Sequence, residues 1–277
     1  MKIEKSKNKI TILNPHDFNV IQTLNCGQIF RYVIDGNTAV VFSKDKKCDI
    51  KFEENKIEIK ANDINYFYHF FDLDRNYSLI KNELKKDNFL CSAVDYGYGI
   101  RIINNDVYEM LISFIISANN NIKRIKNSIE YLCSNFGENK GDYFAFPTLR
   151  ELKMATVQDF KNAGLGYRAE QMYETVQRLT EQDIENLKKI DTNSQFNFLT
   201  SLKGVGEKVA NCIMLFGLGV KNVFPVDTWI NKVYNNLTGT VTTDRKKITR
   251  ELTSRFGKLS GFAQQYFFYY YRDNNLK

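Results

Sequence analysis

The sequence is short of several residue types, and each shortage excludes a class of structure. Three prolines and 15 glycines in 277 residues argue against long disordered linkers. Two histidines, His16 and His69, are too few for a histidine-built metal site, and we expect both at the surface or in packing. The longest apolar run, Cys212–Val220, is far shorter than the about 20 residues needed to span a bilayer.

The cysteines indicate a reducing compartment. They number five, are widely spread, and include no pair with metal-ligand spacing. The first 13 residues are rich in lysine and lack the apolar core of a secretory signal. We therefore expect free thiols, a cytoplasmic location (nucleoid-associated in a prokaryote), no membrane contact, and neither a metal nor another cofactor.

The charge balance favours a polyanionic partner. The net charge is +7, while the apolar share of 43% and the charged share of 26% are ordinary for a globular protein. Each lysine or arginine that neutralises a phosphate releases a counterion, so a basic excess fits nucleic acid. Taken alone this signal is weak, because many basic proteins never bind nucleic acid.

Hydrophobic periodicity predicts an α+β protein. Period-two alternation in the first sixty residues indicates antiparallel strands with one buried face. The predicted strand positions are Phe30–Ile34, Thr38–Phe42, and Ile50 with Phe52 opposite Ile57 with Ile59. From about Asp63 the period becomes helical. We predict an N-terminal antiparallel β-sheet domain at 1–88 and an all-helical domain at 89–277.

The helical part reads as a bundle joined by short loops. Its first strong helix buries a face from Val107 to Ala118, and Asp106 with Glu109 resembles a capping box at its start. The other predicted helices are Ile122–Phe136, Thr156–Ala163, Arg168–Leu179, Ser194–Leu202, Lys208–Phe216, Thr228–Leu237, Arg245–Phe256 and Phe262–Tyr271.

The most specific local motif is the hairpin within 195–217. Gly204 and Gly206 bracket Val205 between two predicted helices. The glycines permit tight turns and close backbone approach, Val205 can fill the gap between the helices, and the free amides of the next helix form an anion site. This is the helix-hairpin-helix pattern, which grips a DNA phosphate independently of sequence. The alternative is a plain Gly-rich turn.

Lys208 and Asp227 are the candidate catalytic pair. Lys208 lies on the first turn after the hairpin, and Asp227 follows Pro225 at the predicted N-cap of the next helix. Cleavage of an N-glycosidic bond develops positive charge at C1′, which a carboxylate stabilises and an amine can attack to give an imine. The amine must first lose its proton, to its surroundings or to the departing base. Singly, each residue also fits an ordinary surface lysine or a plain cap.

Hairpin, lysine and distal aspartate together resemble the helix-hairpin-helix-GPD superfamily of DNA glycosylases. Over nearly the whole length the chain resembles the 8-oxoguanine DNA glycosylase family. The resemblance implies a bifunctional glycosylase and abasic-site lyase that acts on double-stranded DNA containing 8-oxoguanine opposite cytosine. It implies no obligate protein partner, and we expect a monomer.

The resemblance also assigns DNA contacts. Asn119 is expected to fill the space left by the flipped base, and Arg124 to bond the estranged cytosine. Tyr167 would be the wedge in the duplex and Arg168 a second reader of the cytosine. Trp229 stands where the family often has a histidine that contacts phosphate, which puts that contact in doubt, although an indole N–H can still donate one bond.

Four residues are expected to bind the base. In the family the carbonyl at the position of Gly27 accepts the N7–H that 8-oxoguanine has and guanine lacks. Gln264 would bond the Watson–Crick edge, while Phe268 and Cys212 would stack on opposite faces. An aromatic run at helical spacing is usually core, so only the register of the resemblance assigns Phe268 to a pocket.

Two rival functions remain open at this stage. One is a related glycosylase of different base range, against which Lys208 argues because enzymes without a lyase step need no lysine there. The other is a non-catalytic helix-hairpin-helix DNA-binding module, which would have no use for Lys208 with Asp227.

Overall fold

The computed structural model describes residues 1–274 and has a six-stranded sheet followed by a helical body. The strands are β1 (Lys2–Lys5), β2 (Lys9–Leu13), β3 (Tyr32–Asp35), β4 (Thr38–Ser43), β5 (Lys46–Glu53) and β6 (Lys56–Ala61). Their order in the sheet is β1-β2-β6-β5-β4-β3, and every neighbouring pair is antiparallel. This confirms the predicted antiparallel sheet.

The hairpin registers match the period-two pattern. Ile50 pairs with Ile59 across β5 and β6, and both are buried. The intervening residues of β5, Asp49 and Lys51, are exposed. Because alternate side chains of a strand point to opposite faces, this register puts the apolar set on one side.

The helices are α1 (Val20–Asn25), α2 (Ile64–Phe70), α3 (Tyr77–Leu84), α4 (Cys91–Tyr96), α5 (Val107–Ser117), α6 (Ile122–Phe136), α7 (Leu149–Leu152), α8 (Val157–Asn162), α9 (Arg168–Arg178), α10 (Glu181–Leu187), α11 (Thr192–Thr200), α12 (Glu207–Gly217), α13 (Thr228–Thr238), α14 (Arg245–Phe256) and α15 (Ser260–Asp273), with a 3-10 turn at Gly257–Leu259. Across residues 1–274, every helix is too short or too polar to traverse a lipid bilayer.

Helix α5 is the centre of the helical body. Its residues are buried on all sides from Val107 to Ile116, whereas the sequence predicts a single apolar face. A helix that is apolar all round is an interior helix. It packs against α12, α6 and α9, which carry the hairpin lysine and the predicted DNA contacts.

The predicted capping box at the start of α5 is half wrong. The Asp106 side chain does accept the backbone N–H groups of Tyr108 and Glu109. The Glu109 carboxylate, however, accepts the N–H of Lys44 at 2.7 Å, and the N–H of Asp106 donates to Asn105. Glu109 therefore ties the sheet to α5, because the backbone N–H of Lys44, directly after β4, is a donor that its carboxylate can accept.

The apolar core forms two clusters. One joins the sheet to α1 and α2, and the other fills the helical body. Tyr77 and Leu84 belong to the second cluster, as do Cys26 and Phe30, so the first hundred residues contribute to both. The domain boundary at 88/89 stays a prediction.

Candidate active site

The hairpin places Lys208 at the start of α12. Gly204 has φ 78°, and a Cβ there would lie 3.2 Å from Ile115 Cγ2 and 3.3 Å from Gln171 Oε1. A larger residue would press on these two side chains and would be strained at this positive φ, so the position favours glycine. Val205 between the two helices is buried, as the pattern predicts.

The amide end of α12 is open to solvent. Its N-cap is Gly206, so no side chain bonds the first amides of the helix. A Cβ on Gly206 would meet nothing within 4 Å. Unsatisfied N–H groups at the positive end of a helix dipole attract anions, so the hairpin has the form of a phosphate site.

Asp227 is the N-cap of α13, as its place after Pro225 predicts. Its Oδ1 accepts the backbone N–H of Ile230 at 2.9 Å, which fixes the orientation of the carboxylate. The buried Pro225 lines a cavity that Asp227 also borders. Asp227 is itself half-buried, so one side of its carboxylate is held by the helix while the other faces the cavity.

One cavity collects both predicted catalytic residues and all four predicted base contacts. The lining residues are Cys26, Gly27, Phe114, Lys208, Cys212, Phe216, Pro225, Asp227, Gln264, Gln265 and Phe268. The Lys208 ammonium lies 5.4 Å from the centroid of the Phe114 ring. An amine, a carboxylate, an apolar floor and amide groups thus converge from α12, α13, α5 and α15.

The charges of Lys208 and Asp227 both act on the Cys212 thiol. Burial raises the pKa of the Cys212 thiol, Lys208 lowers it, and Asp227 raises it. A buried thiol with a raised pKa stays neutral at pH 7. Cys212 therefore offers the cavity a polarisable, uncharged surface.

The segment that carries Gly27 is pinned by three buried contacts. Gln28 donates to the carbonyls of Thr23 and Arg101 and accepts the N–H of Ile103. Contacts of the flanking residues also hold this segment. Arg31 donates to Glu130 and to the Phe144 carbonyl, and Arg272 donates to the Asn25 carbonyl. The Phe30 ring meets the Phe114 ring edge-on. Gly27 has φ 79°, so its carbonyl direction depends on a conformation that favours glycine.

Helix α15 supplies the remaining amide and aromatic groups. The Gln265 side chain donates to Gln264 Oε1 at 2.8 Å, and both residues are buried. This bond fixes which side of the Gln264 amide faces the cavity. Phe268 is half-buried, and a Cβ on Gly27 would lie 3.0 Å from its Cε1 atom.

The cavity is narrow in this conformation. Its volume is about 30 Å³, which is enough for water and far too small for a purine. Since the Phe268 ring rests against Gly27, a base could enter only after that ring moves aside.

The two segments predicted to enter the duplex, at Asn119 and at Tyr167 with Arg168, lie next to each other. Arg168 Nη1 donates to the carbonyl of Ala118 at 2.7 Å, directly before Asn119. Asn119 has φ 48°, is exposed, and stands between α5 and α6. Tyr167 is 65% exposed, so its ring is available for stacking.

The two predicted readers of the opposite base differ in exposure. Arg124 is exposed on the first turn of α6. Arg168 is only 5% exposed and folded toward Ala118, and its Nε atom has no partner among the described residues. Trp229 is 40% exposed at the start of α13, and the Lys232 ammonium lies 5.3 Å from its ring.

Several lining residues are missing from the sequence prediction. Phe114 and Phe216 stack at 5.7 Å as the floor, and Gln265 orients Gln264. Phe114 belongs to the predicted apolar face of α5, which gave no reason to separate it from the core. In the described part of the chain, no cluster of three or more His, Cys, Asp or Glu side chains is placed to hold a metal ion.

Comparison with known proteins identifies curated relatives of part of the chain. The N-glycosylase/DNA lyase OGG1 of Arabidopsis thaliana is 32% identical over 202 residues, which cover 66% of this chain and 55% of that protein. The N-glycosylase/DNA lyase of Saccharomyces cerevisiae is 38% identical over 153 residues, which cover 49% and 41%. The matches therefore span about half the length of these curated relatives.

A solved relative matches from end to end. The 8-oxoguanine glycosylase/lyase of Clostridium acetobutylicum, in complex with double-stranded DNA containing cytosine opposite 8-oxoguanine, is 38% identical. The match covers 100% of this chain and 99% of that one, with a TM-score of 0.91. A family model for the 8-oxoguanine DNA glycosylase N-terminal domain matches residues 10–111, and one for HhH-GPD superfamily base excision DNA repair proteins matches residues 112–258. The chain belongs to the 8-oxoguanine DNA glycosylase family of the helix-hairpin-helix-GPD superfamily.

Proposed function

We propose that the protein is a bifunctional DNA glycosylase and abasic-site lyase that excises 8-oxoguanine opposite cytosine. The observation that carries the proposal is the convergence of Lys208, Asp227 and the predicted base contacts on one cavity beside the phosphate-binding hairpin. The names of its relatives, N-glycosylase/DNA lyase and 8-oxoguanine glycosylase/lyase, support the same reaction and substrate. Because its proposed substrate is DNA, the proposed location remains the cytoplasm.

Binding begins with the backbone of the duplex. The open amides at the start of α12 donate hydrogen bonds to a phosphate, and the indole N–H of Trp229 can donate to another. Tyr167 wedges into the stack and Asn119 occupies the gap left by the extruded nucleotide. Arg124 and Arg168 donate to the O2 and N3 acceptors of the orphaned cytosine.

Base discrimination follows from one backbone carbonyl. The oxidised base carries a hydrogen on N7, which the Gly27 carbonyl accepts, whereas N7 of guanine is an acceptor that this carbonyl repels. The Gln264 amide bonds the Watson–Crick edge. Phe268 stacks on one face of the base, and the uncharged Cys212 thiol packs on the other.

Excision uses the amine as nucleophile. The C1′–N9 bond breaks, its electron pair leaves with the base, and Asp227 stabilises the positive charge that develops on the sugar. The neutral Lys208 amine forms a bond to C1′, having given its proton to the departing base or its surroundings. The sugar ring then opens, O4′ takes a proton, and a protonated imine joins Lys208 to C1′.

Strand nicking follows from the imine. A proton leaves C2′, its electron pair forms a C1′–C2′ double bond, and the imine nitrogen takes up the displaced pair to give an enamine. The nitrogen pair then restores the imine, a C2′–C3′ double bond forms, and the C3′–O bond breaks with its electron pair leaving on the 3′ phosphate, which is β-elimination. Water then hydrolyses the imine and frees Lys208. A fixed cavity serves both steps because the amine and C1′ remain bonded until the strand is cut.

Borohydride trapping tests the proposal, because reduction of the imine fixes protein to DNA. We expect a covalent complex with an 8-oxoguanine:cytosine duplex, and its loss in Lys208→Gln. The matched control is Lys161→Gln, an exposed lysine on α8, which should trap like the unmodified protein. Trapping that survives Lys208→Gln would refute the assignment, and trapping only on another damaged base would change the substrate.

A salt titration separates phosphate gripping from other modes of binding. If about six phosphates are contacted, the logarithm of the binding constant should fall with the logarithm of salt concentration at a slope of about −5. A complex insensitive to salt would contradict the proposed role of the hairpin.

A further inference from the structure

A second cavity opens at the end of α5 farthest from the DNA contacts. Its volume is about 440 Å³, within the about 300–1,000 Å³ typical of small-molecule sites. Tyr108 on the first turn of α5 lines it, while Asn119 follows the last turn. The 11 residues of α5 separate the two ends by about 16 Å at 1.5 Å per residue.

The lining of this cavity is acidic although the protein is basic. Seven of the sixteen lining residues are Asp or Glu and two are Lys, against a net charge of +7 for the chain. Glu181, on the first turn of α10, forms no ion pair within residues 1–274. Glu151 uses Oε2 in the capping box of α7, which leaves Oε1 for a ligand.

A buried hydroxyl adds independent evidence for a ligand. Tyr108 is 8% exposed, and its hydroxyl has no hydrogen-bond partner among the described residues. Tyr108 lines the cavity together with Glu181, Asp106 and Glu151. Burial raises the pKa of its hydroxyl, and the charges of these three carboxylates raise it further. Buried polar atoms are nearly always bonded, so an unpaired one beside a cavity calls for a partner.

The geometry favours an organic cation over a metal ion. Within the described residues, no three carboxylates lie close enough to coordinate one ion. The lining also includes apolar side chains, among them Phe146, Leu149 and Ile184. Glu151 and Glu181 form no ion pair within residues 1–274, whereas Asp45, Asp106, Glu138 and Glu185 pair with lysines. Two unpaired carboxylates beside apolar side chains suit ammonium groups joined by a methylene chain, because each ammonium group can donate to a separate acceptor.

We propose that this cavity binds an aliphatic polyamine, with one ammonium group held by Tyr108, Glu181 and Glu151. The methylene chain packs on Phe146 and Ile184, and the site is separate from the DNA face. The assignment rests on this cavity alone and does not depend on the excision chemistry.

Calorimetric titration with spermidine tests the site at a constant ionic strength of about 150 mM, which screens exposed charges. We expect saturable binding of one molecule per chain. Glu181→Gln should weaken it about tenfold, and Tyr108→Phe about fivefold, as expected for one charged and one neutral hydrogen bond. Glu174→Gln on α9, an exposed glutamate outside the cavity, is the matched control and should bind normally.

Thermal unfolding of each variant checks that the fold is kept, and spermidine should raise the melting temperature of the unmodified protein more than that of Tyr108→Phe. An absence of saturable binding would overturn the proposal. So would equal weakening in Glu174→Gln, since it would indicate diffuse surface attraction. Displacement of spermidine by magnesium at matched ionic strength would reassign the site to a metal ion.

Discussion

Replacing Asp227 by asparagine separates the structural role of this side chain from its charge. The carboxylate caps α13 through its 2.9 Å bond from the Ile230 N–H, and an asparagine oxygen can accept the same bond. The only loss to the fold is the attraction between a negative charge and the helix dipole, about 0.5 kcal/mol. For a chain of this size that corresponds to a fall of about 1–2 °C in melting temperature.

The effect on excision should be far larger. Removing one fixed group that stabilises transition-state charge slows an enzyme by about 100-fold to 1,000-fold, or about 3–4 kcal/mol of barrier. We therefore expect Asp227→Asn to remain folded and to bind 8-oxoguanine DNA, yet to excise the base at least about 100-fold more slowly. The ratio of catalytic loss to stability loss is the quantity that distinguishes an electrostatic group from a plain cap.

Single-turnover release of the base, with enzyme in excess over an 8-oxoguanine:cytosine duplex, measures this loss free of product release. Asp191→Asn is the matched control, since Asp191 caps α11 by accepting the N–H groups of Asn193 and Ser194 and does not line the cavity. It should excise normally. Excision by Asp227→Asn within about threefold of the unmodified rate, less than about 1 kcal/mol, would refute an electrostatic role.

Three further predictions follow from the cavity and the sheet contact. Gly27→Ala should lower excision in single-turnover assays, because φ 79° disfavours alanine and its Cβ would press on the Phe268 ring. Gly36→Ala, also at positive φ but in open space, should leave excision unchanged, and equal effects of the two variants would contradict the proposed role of Gly27. Gln265→Leu should weaken discrimination between 8-oxoguanine and 8-oxoadenine, which differ at the Watson–Crick edge, by freeing the Gln264 amide, and unchanged selectivity would exclude that role. Burial raises the pKa of the Glu109 carboxyl from 4.5 to about 7, so the folded state holds a proton that the unfolded state releases. The resulting stabilisation is fully present below about pH 4.5 and is lost as the pH rises through about 7. Between pH 5 and 8 the unfolding free energy in urea should fall by up to about 3 kcal/mol more than in Glu109→Gln; parallel pH profiles would contradict this.

The sequence predicts the sheet and most helices because their signals are local. Ile50 and Ile59 reveal strand register through period-two burial, and Asp227 reveals a helix start through capping chemistry. Glu109 is different. A capping box and a tie to a strand end use the same residue, and only the position of Lys44 decides between them.

The site was predictable in part for the same reason. Lys208 and the hairpin lie within a few residues of each other, so their pattern is visible in one segment. Gly27 and Phe268 are far apart in sequence, and only a family resemblance brings them together. No sequence pattern reveals that the Phe268 ring rests on Gly27 and narrows the cavity, since that depends on how α15 packs against the segment around Asn25.

The narrow cavity and the buried Arg168 imply that the free protein is not preorganised for recognition of the opposite base. Arg168 donates one N–H to the Ala118 carbonyl, and its Nε has no partner among the described residues. Movement of the guanidinium away from this position therefore breaks few hydrogen bonds. Arg124 is already exposed and can meet cytosine on first encounter. Under the proposed function, Arg124→Ala should therefore slow association and flatten opposite-base preference, whereas Arg168→Ala should act only after the base is extruded, through faster dissociation. Stopped-flow binding with each of the four opposite bases separates the two, and an effect of Arg168→Ala on association alone would show that its guanidinium is free before DNA arrives.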